Sequence, residues 1–362
     1  MIERLWIDRQ AGRHAGELRQ QGSGRLITVD YHDDLKEVQG DAALAALLRA
    51  PQAAAPFDRI EWWQGLAEHC NLPPLIAVCR HGAHRAVLPL VRRGDQIHAL
   101  ANWYAFRVGP LFTPGANRQA MLLALAKDLV QQAGRLILAP LADEDGAASA
   151  LAGALRQAGW LAYLEPCDVN HVLPVRGRAF AEYLARRPGP LRTILRRKAH
   201  KVEITIESAF SPQSWSAYEA IYAQSWKGAE GSPAFLRHFA KQEGAAGRLR
   251  IGLARIDGQP VAAQFWTVEA GTAFIHKLAH SETAKALSPG TALTAALMEQ
   301  VIDRDRVELV DFGTGDDAYK RDWMEQVRPR YRIVAFRAGR PGNWPAIARQ
   351  VLRGLAGGRS RG

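Results

Sequence analysis

The stretch Glu308 to Met324, ELVDFGTGDDAYKRDWM, gathers several chemically active side chains in one short segment. It holds an Asp-Phe-Gly triplet, two adjacent aspartates and a Tyr-Lys pair, and a similar triplet marks the metal-binding loop of protein kinases. Phosphoryl transfer also requires a glycine-rich nucleotide loop, a strand lysine and a His-Arg-Asp catalytic loop, because the metal and phosphate clamps act together. The sequence contains none of these three, which excludes a kinase site.

A second candidate is the turn Ser288-Pro289-Gly290, which precedes an apolar-periodic run. The N-terminus of a helix presents free N–H groups and the positive end of the helix dipole, which favour a phosphate, and glycine lets the backbone approach it closely. Lys285 adds positive charge just before the turn. The alternative is an ordinary helix start, with Ser288 as the N-cap and Pro289 at the first helical position.

His276 and Lys277 are neighbours on a predicted strand, so only one of the two side chains can face a cleft. Imidazole has a pKa suited to a general base near neutral pH. The alternative is a histidine that faces the core or the surface.

Apolar periodicity predicts the elements that must position these residues. Leu249 to Val268 predicts a β-hairpin with its tight turn at Asp257-Gly258, and Thr272 to Ala279 predicts a third antiparallel strand. An amphipathic helix is predicted from Gly290 and a short strand from Val307 to Phe312, so the helix should cross over into the same sheet. The segment with the Asp-Phe-Gly triplet is then a strand end, a loop and a further helix.

The N-terminal half repeats this order of elements. A hairpin is predicted over Leu75 to Val91, a turn at Thr113-Pro114-Gly115 precedes a helix, and a strand follows over Arg135 to Pro140. The spacing from turn to strand is similar in the two halves. This suggests a duplication, although alternating helices and strands also produce such coincidences.

Composition sets the broad class. A chain of 362 residues with 48% hydrophobic residues is long enough for two domains. There are 47 Lys and Arg against 36 Asp and Glu, a net charge of +11, which favours anionic partners such as nucleic acid, acidic lipid or phosphorylated cofactors. Cys70, Cys79 and Cys167 lack metal-ligand spacing and are expected to be buried thiols in a reducing compartment. Without a signal core or a long apolar run, a cytoplasmic protein is expected.

Two basic amphipathic segments stand out. Pro190 to Lys201 predicts a helix whose cations form either a solvated face or a site for a phosphorylated acceptor. The tail from Asn343 combines Trp344 and aliphatic residues with arginines, which is typical of a helix that rests on an anionic membrane at the inner face. Packing of this tail back on the domain is the alternative.

Four motifs carry a family resemblance: GQPVAAQFW, HKLAHSETAKALSPGTAL, DFGTGDDAYKRDW and YAQSWKG. Together, over Tyr183 to Phe336, the chain resembles bacterial acetyltransferases of the GNAT superfamily that are related to the cellulose-biosynthesis protein CelD. Its two-half build is similar to that of the FemAB peptidoglycan aminoacyltransferases. The resemblance implies an α+β fold with two tandem GNAT-like halves, each a mixed, mostly antiparallel sheet with packing helices. The expected divisions are a degenerate N-terminal half over residues 1–165, an acetyltransferase domain over 166–340 and the basic tail over 341–362.

The resemblance also implies an activity. An acyl group, in most members acetyl from acetyl-CoA, would pass to an amine of a cell-envelope or exopolysaccharide precursor, without a metal. The acceptor is expected to be phosphorylated or lipid-linked. Two alternatives remain, namely a Fem-like aminoacyltransferase that uses aminoacyl-tRNA, and a non-catalytic protein that binds an anionic polymer.

Site residues follow from the matching motifs. For the donor, Gly290, Thr291 and Ala292 match the second half of the superfamily phosphate loop, whereas Leu287 stands where a basic or amide residue is usual. The resemblance implies a proton-donating role for Tyr319 and acceptor anchoring for Lys320. An ordinary packed tyrosine, an exposed helix lysine, a structural Asp311 and a packing Trp226 are the alternatives. The full set of candidates is catalytic Tyr319, Lys320, Asp311 and His276, donor-binding Ser288, Gly290, Thr291, Ala292 and Lys285, and substrate-binding Lys277, Trp226 and Lys227.

Overall fold

The computed structural model describes residues 26–50, 52–225 and 227–358, with side chains described up to residue 353. In this part of the chain, thirteen strands form one sheet and twelve α-helices pack around it. The strands are β1 Ile27–His32, β2 Pro74–His81, β3 His84–Arg93, β4 Gln96–Ala99, β5 Leu111–Phe112, β6 Arg135–Leu141, β7 Leu161–Pro174, β8 Glu203–Glu207, β9 Leu249–Ile256, β10 Gln259–Glu269, β11 Thr272–His280, β12 Leu309–Thr314 and β13 Gln326–Phe336. The helices are α1 Leu35–Gly40, α2 Ala42–Leu47, α3 Ile60–Cys70, α4 Arg118–Gln132, α5 Ala147–Gln157, α6 Phe180–Ala185, α7 Gly189–Lys198, α8 Pro212–Ala223, α9 Pro233–Ala245, α10 Pro289–Glu299, α11 Ala318–Trp323 and α12 Trp344–Gly358.

The sheet is mixed and mostly antiparallel. Its strand order is β1-β2-β3-β4-β6-β13-β7-β12-β11-β10-β9-β8, and β5 pairs with β3 beside this path. The pairs β4/β6 and β11/β12 are parallel, and helices α4 and α10 make the respective crossovers. The predicted α+β class is therefore confirmed, and the two parallel pairs occupy equivalent places in the two halves.

The C-terminal strands of the two halves are interleaved. Strand β7 follows the first half in sequence but pairs with β12, whereas β13 pairs with β6 of the first half. The two strands also pair with each other along their lengths. Each half therefore borrows a strand from the other to complete its sheet, and the boundary predicted after residue 165 falls inside β7.

Local sequence signals explain the C-terminal hairpin and its helix. Asp257 and Gly258 have φ angles of 50° and 76°, the left-handed values that the predicted tight turn requires. Leu293, Leu297 and Val301 are fully buried, as the fourfold spacing of the predicted apolar stripe indicates. They belong to a core cluster beneath β9 to β12.

Strands β11 and β12 open a wedge in the sheet. Their parallel register covers only Thr272–Phe274 against Leu309–Asp311, although both strands continue beyond it. The crossover helix α10 begins beside this wedge. Space for a ligand is thus created where two neighbouring strands part and a helix N-terminus points toward the gap.

Candidate active site

A cleft of about 260 Å³ lies at the wedge between β11 and β12. Gly290 and Tyr319, which the sequence placed in separate motifs, both line it. The other lining residues come from β10, β11, the 3-10 turn after β11, α10, β12 and α11: Gln264, Leu278, Ala279, His280, Lys285, Ser288, Pro289, Thr291, Thr294, Phe312 and Trp323.

The turn before α10 is hydrogen-bonded to the neighbouring helix α7. Ser288 has a φ angle of 54° and its side chain does not cap the helix, although the helix does begin at Pro289 as predicted. The Ser288 hydroxyl instead accepts a 3.3 Å hydrogen bond from Lys198 Nζ, which also donates to the Ala286 carbonyl at 2.8 Å. Lys198 is the last residue of the basic helix α7, so the end of this helix fixes the position of the turn.

The first turn of α10 is fixed from the sheet side. Gln264 Nε2 donates to the Gly290 carbonyl at 3.1 Å and to Thr294 Oγ1 at 2.7 Å. The Trp266 indole donates in turn to Gln264 Oε1 at 2.9 Å. These buried bonds fix the carbonyl side of the turn. The Thr291 and Ala292 amides both donate to the Ser288 carbonyl, at 3.1 and 3.2 Å, and Pro289 has no N–H, so among the described residues the Gly290 amide is the first-turn donor that remains for a ligand.

The predicted donor-binding residues separate into two groups. Ser288, Gly290, Thr291 and Lys285 line the cleft, whereas Ala292 is buried in the core and does not. The Lys285 side chain is 70% exposed and lies 3.3 Å from Glu282. A Cβ on Gly290 would meet the His280 ring at 3.6 Å, an ordinary contact that leaves the fold intact.

Tyr319 contributes its phenol to the lining of the cleft. Its ring packs edge-on against Phe312, with centroids 5.6 Å apart, and the residue is 36% exposed. Burial raises the pKa of the phenol, and the nearby Asp317 charge adds to this. The phenol therefore stays protonated at neutral pH and can donate.

Lys320 stabilises the end of β12 and the loop that follows it. Lys320 is 4% exposed, and its ammonium donates to the carbonyls of Gly313 at 3.4 Å and Gly315 at 3.1 Å, and to that of Thr314. The alternative of an exposed helix lysine is therefore wrong, and a structural role for Lys320 now stands beside the expected role in anchoring the acceptor.

Asp311 is buried within β12, three residues before the strand ends at Thr314. Its Oδ1 accepts 2.8 Å hydrogen bonds from Asn170 Nδ2 and from the Gly313 amide. Its Oδ1 atom is thus hydrogen-bonded to strand β7 and to its own turn, which matches the structural alternative. Gly313 itself has a φ angle of 70° and a Cβ there would lie 2.8 Å from Phe106, so the turn requires glycine.

His276 lies away from the cleft. Its ring is buried among aromatic side chains, with the Phe265 centroid 5.1 Å away and the Phe239 centroid 5.2 Å away, and Nε2 is 2.8 Å from Thr267 Oγ1. Burial lowers the pKa of His276 to about 3, and the Lys277 charge adds to this. The structure therefore does not bring His276, the proposed base, into the cleft of Gly290 and Tyr319. His276 is instead the core histidine of the alternative interpretation.

A second cavity, of about 320 Å³, has an aromatic wall from α8 and a polar end. Glu230 lines it and accepts a 2.9 Å hydrogen bond from Lys277 Nζ and a 2.6 Å bond from the Tyr104 hydroxyl. The described lining is Trp215, Tyr218, Glu219, Tyr222, Ala223, Lys227, Gly228, Ala229, Glu230, Pro233 and Leu236. Sequence reasoning missed Glu230, which closely follows the YAQSWKG motif, and Tyr104, which carries no local signal.

Lys227 interacts electrostatically with residues of both cavities. It lines the second one, and its charge also acts on His280, which lines the first. Burial, together with the Lys277 charge, lowers the pKa of Lys227 to about 8, and Asp317 opposes this effect. Trp226, the remaining predicted substrate residue, lies outside the described residues.

Comparisons with known proteins agree with this architecture. Residues 178–321 match the family described as acetyltransferase (GNAT) domain. The structure is similar to FemX, at 10% identity and a TM-score of 0.57 over 84% of this chain and 96% of that one. It is also similar to a tandem GNAT protein from the clavulanic acid biosynthesis pathway, at 14% identity and a TM-score of 0.50 over 84% and 98%.

A third similar structure is the C-terminal domain of a putative lysylphosphatidylglycerol synthetase from Agrobacterium fabrum. It shares 14% identity over 74% of this chain and 85% of that chain, at a TM-score of 0.50. A search of curated proteins finds no match. At these identities the structural likenesses show the fold alone.

The family match and the fold define the class of protein. The chain carries a GNAT-type acetyltransferase domain within a tandem GNAT-like fold, and it is an N-acyltransferase. The narrower resemblance to CelD-related acetyltransferases stays a prediction.

Proposed function

We propose that the protein transfers an acyl group, most simply acetyl, from acyl-CoA to an amine of a cell-envelope or exopolysaccharide precursor. The observation that carries this proposal is the shared cleft of Gly290 and Tyr319. A helix N-terminus suited to phosphates and a protonated phenol meet there, at the point where β11 and β12 part.

The donor would lie along the wedge between the strands. Its pyrophosphate would face the first turn of α10, near Gly290 and Thr291, with Lys285 at the outer rim. Backbone N–H groups and the helix dipole stabilise negative charge at such a position. The thioester would then point inward, toward Tyr319.

The transfer itself requires two proton movements. A neutral acceptor amine attacks the thioester carbonyl, the C–N bond forms and the C–S bond breaks. The departing thiolate takes the Tyr319 proton, which solvent restores, and the amine releases its own proton to water. General acid catalysis of this kind contributes a factor of about 10² to 10⁴.

The acceptor would occupy the second cavity. Its aromatic wall, Trp215, Tyr218 and Tyr222, suits the face of a sugar or an apolar chain. Lys227 and Lys277 place positive charge at the end that adjoins the donor cleft. This end suits a phosphorylated acceptor, and Glu230 offers a carboxylate for its amine.

Two substitutions test the proposal by separating donor binding from chemistry. Gly290→Val should abolish the binding of acetyl-CoA in calorimetry, whereas Gly290→Ala, whose Cβ fits, is the matched control. Tyr319→Phe should retain donor binding but lower kcat by about 10² or more, measured as CoA thiol release with a panel of amino sugars. Unchanged affinity in Gly290→Val would remove the turn from the donor site, and unchanged kcat in Tyr319→Phe would make the tyrosine a packing residue.

A specific observation favours a second candidate, an aminoacyltransferase that uses aminoacyl-tRNA. Pro289 removes one N–H from the phosphate turn, and basic helix α7 is joined to this turn through Lys198. Its Arg192, Arg196 and Arg197 are exposed. Binding of aminoacyl-tRNA with a steep salt dependence, lost on changing the three arginines to Gln, together with no acetyl-CoA binding, would favour this candidate.

A further inference from the structure

A cluster of potential metal ligands lies outside both cavities, where α3 packs against α9. Glu68 and His69 come from the end of α3 and His238 from α9, and one ligand atom of each lies within 4.8 Å of the others. The rings of His69 and His238 have centroids 4.7 Å apart. We propose that these three residues bind a divalent transition-metal ion, with Zn²⁺ the best match.

The ligand chemistry fits Zn²⁺. Two imidazoles and one carboxylate are common ligands of this ion, and a three-residue set leaves a fourth position for water. An ion at the centre of a triangle with 4.8 Å sides would lie about 2.8 Å from each atom, whereas Zn–N bonds are about 2.0–2.1 Å. Each ligand atom thus needs to move inward by about 0.7 Å, which small side-chain rotations supply.

The environment of the histidines provides a second, independent reason. His69 Nε2 is buried and has no hydrogen-bond partner among the described residues, and its nearest carboxylate oxygen, from Glu68, is 3.9 Å away. A buried polar atom without a partner costs free energy, and a bound ion would satisfy it.

The neighbouring thiol does not belong to the set. Cys70 Sγ lies 3.4 Å from both Ser232 Oγ and Asn102 Nδ2, so its contacts point to other residues. A cavity of about 610 Å³ is lined by Glu68 and His69 and gives an ion a route from solvent. The open position would face water in this cavity.

Such an ion would connect the two halves of the protein. Helix α3 belongs to the first half and α9 to the second, and Pro233 and Leu236 of α9 line the second cavity. The ion would fix this wall against α3, a structural role separate from acyl transfer. No sequence motif marks this site, because His238 is far along the chain from Glu68 and His69.

Calorimetry on the tag-free full chain tests the proposal. After treatment with chelator and its removal, the protein should bind Zn²⁺ with a stoichiometry of one and should not bind Mg²⁺ at the same concentration. His69→Gln and His238→Gln should each weaken Zn²⁺ binding by at least about tenfold. His200→Gln, an exposed histidine elsewhere on the surface, is the matched control and should bind like the wild type.

A second measurement keeps the test independent of the variants' folding. Co²⁺ bound by nitrogen and oxygen ligands in a four-coordinate site absorbs visible light much more strongly, and at longer wavelengths, than the hydrated ion, so the wild-type protein should develop this absorption at one equivalent. Failure to bind Zn²⁺ or to develop the Co²⁺ absorption would overturn the proposal. Unchanged Zn²⁺ affinity in a folded His69→Gln/His238→Gln double variant would overturn it as well, and none of these results depends on acyltransferase activity.

Discussion

Lys277 and Glu230 form a 2.9 Å hydrogen-bonded ion pair at the polar end of the second cavity. The Lys277 ammonium also lies 4.5 Å from the centre of the Tyr104 ring, a distance at which a cation is attracted to the aromatic face. Tyr104 donates from its hydroxyl to the same Glu230 oxygen. Because Tyr104 precedes β7, the first half contributes directly to the proposed acceptor site.

Glu230→Gln tests the importance of this pair. Burial lowers the pKa of Lys277 and Glu230 opposes that effect, so loss of the carboxylate leaves a poorly compensated charge in the cavity. We expect the acceptor KM to rise at least tenfold while acetyl-CoA affinity, measured by calorimetry, stays unchanged. Glu282→Gln, at an exposed position, is the control. An unchanged KM in folded Glu230→Gln would separate the pair from acceptor binding.

Lys320→Met tests whether the buried ammonium stabilises the loop after β12. Three carbonyl oxygens would lose their donor, so we expect the free energy of unfolding to fall by about 2–3 kcal/mol in urea titrations. Arg321→Met is the neighbouring control, since its solvent-exposed ion pair with Asp316 should contribute little to stability. If stability is retained and only the acceptor KM rises, Lys320 binds the acceptor, as the family resemblance implied.

Much of the C-terminal fold could be predicted because its signals are local. The turn at Asp257-Gly258 and the period of α10 depend on residues close in sequence, and both are confirmed. The exchange of β7 and β13 has no such signal, because strand pairing is decided by contacts between distant segments. The same limit applies to Cys167 of β7, which was expected to be buried and is exposed opposite the register shift between Arg330 and Tyr331 of β13.

The candidate site shows the same division. Motifs identified Gly290 and Tyr319, and the structure brings them to one cleft. They did not reveal which way each side chain points: His276 faces an aromatic core, and Lys320 turns back onto its own loop. Tyr104 reaches the second cavity only because the two halves pack together.

Glu269→Gln should change the pH dependence of stability. Burial raises the pKa of Glu269 from 4.5 to about 7, Arg59 opposes this, and Glu243 adds to it. The folded protein therefore binds a proton more tightly than the unfolded chain does. The resulting stabilisation is present at low pH and is lost as the pH rises through about 7.

The Gln variant has no carboxylate to ionise, so it should avoid this loss. We expect its free energy of unfolding to exceed that of the wild type by about 2–3 kcal/mol at pH 8, and the difference to shrink toward pH 5. Urea unfolding at both pH values measures this difference in the free energy of unfolding. Glu282→Gln, at an exposed position, is the control. An equal difference at the two pH values would show that ionisation of Glu269 is not its cause.

Removal of α12 should weaken binding to anionic membranes. One face of this helix docks on the body through Gln350, whose Nε2 donates to Glu165 Oε2 at 2.9 Å. Trp344 and Leu352 are 62% and 64% exposed, and Arg349 and Arg353 are exposed as well. No helix among the described residues has the length and hydrophobicity to span a bilayer, so any contact would be with the membrane surface.

An exposed tryptophan and an exposed leucine are suited to the boundary between the headgroups and the acyl chains of a bilayer. Each arginine near an anionic surface contributes about 1 kcal/mol to the free energy of membrane binding. Truncation after Gly342, or Trp344→Ala with Leu352→Ala, should therefore reduce co-sedimentation with phosphatidylglycerol vesicles at low salt and leave acetyl-CoA affinity unchanged. Neutral phosphatidylcholine vesicles are the matched control. A full-length protein that stays in the supernatant with anionic vesicles would exclude this surface contact. The net charge of +11 would then favour the binding of a soluble anionic acceptor instead.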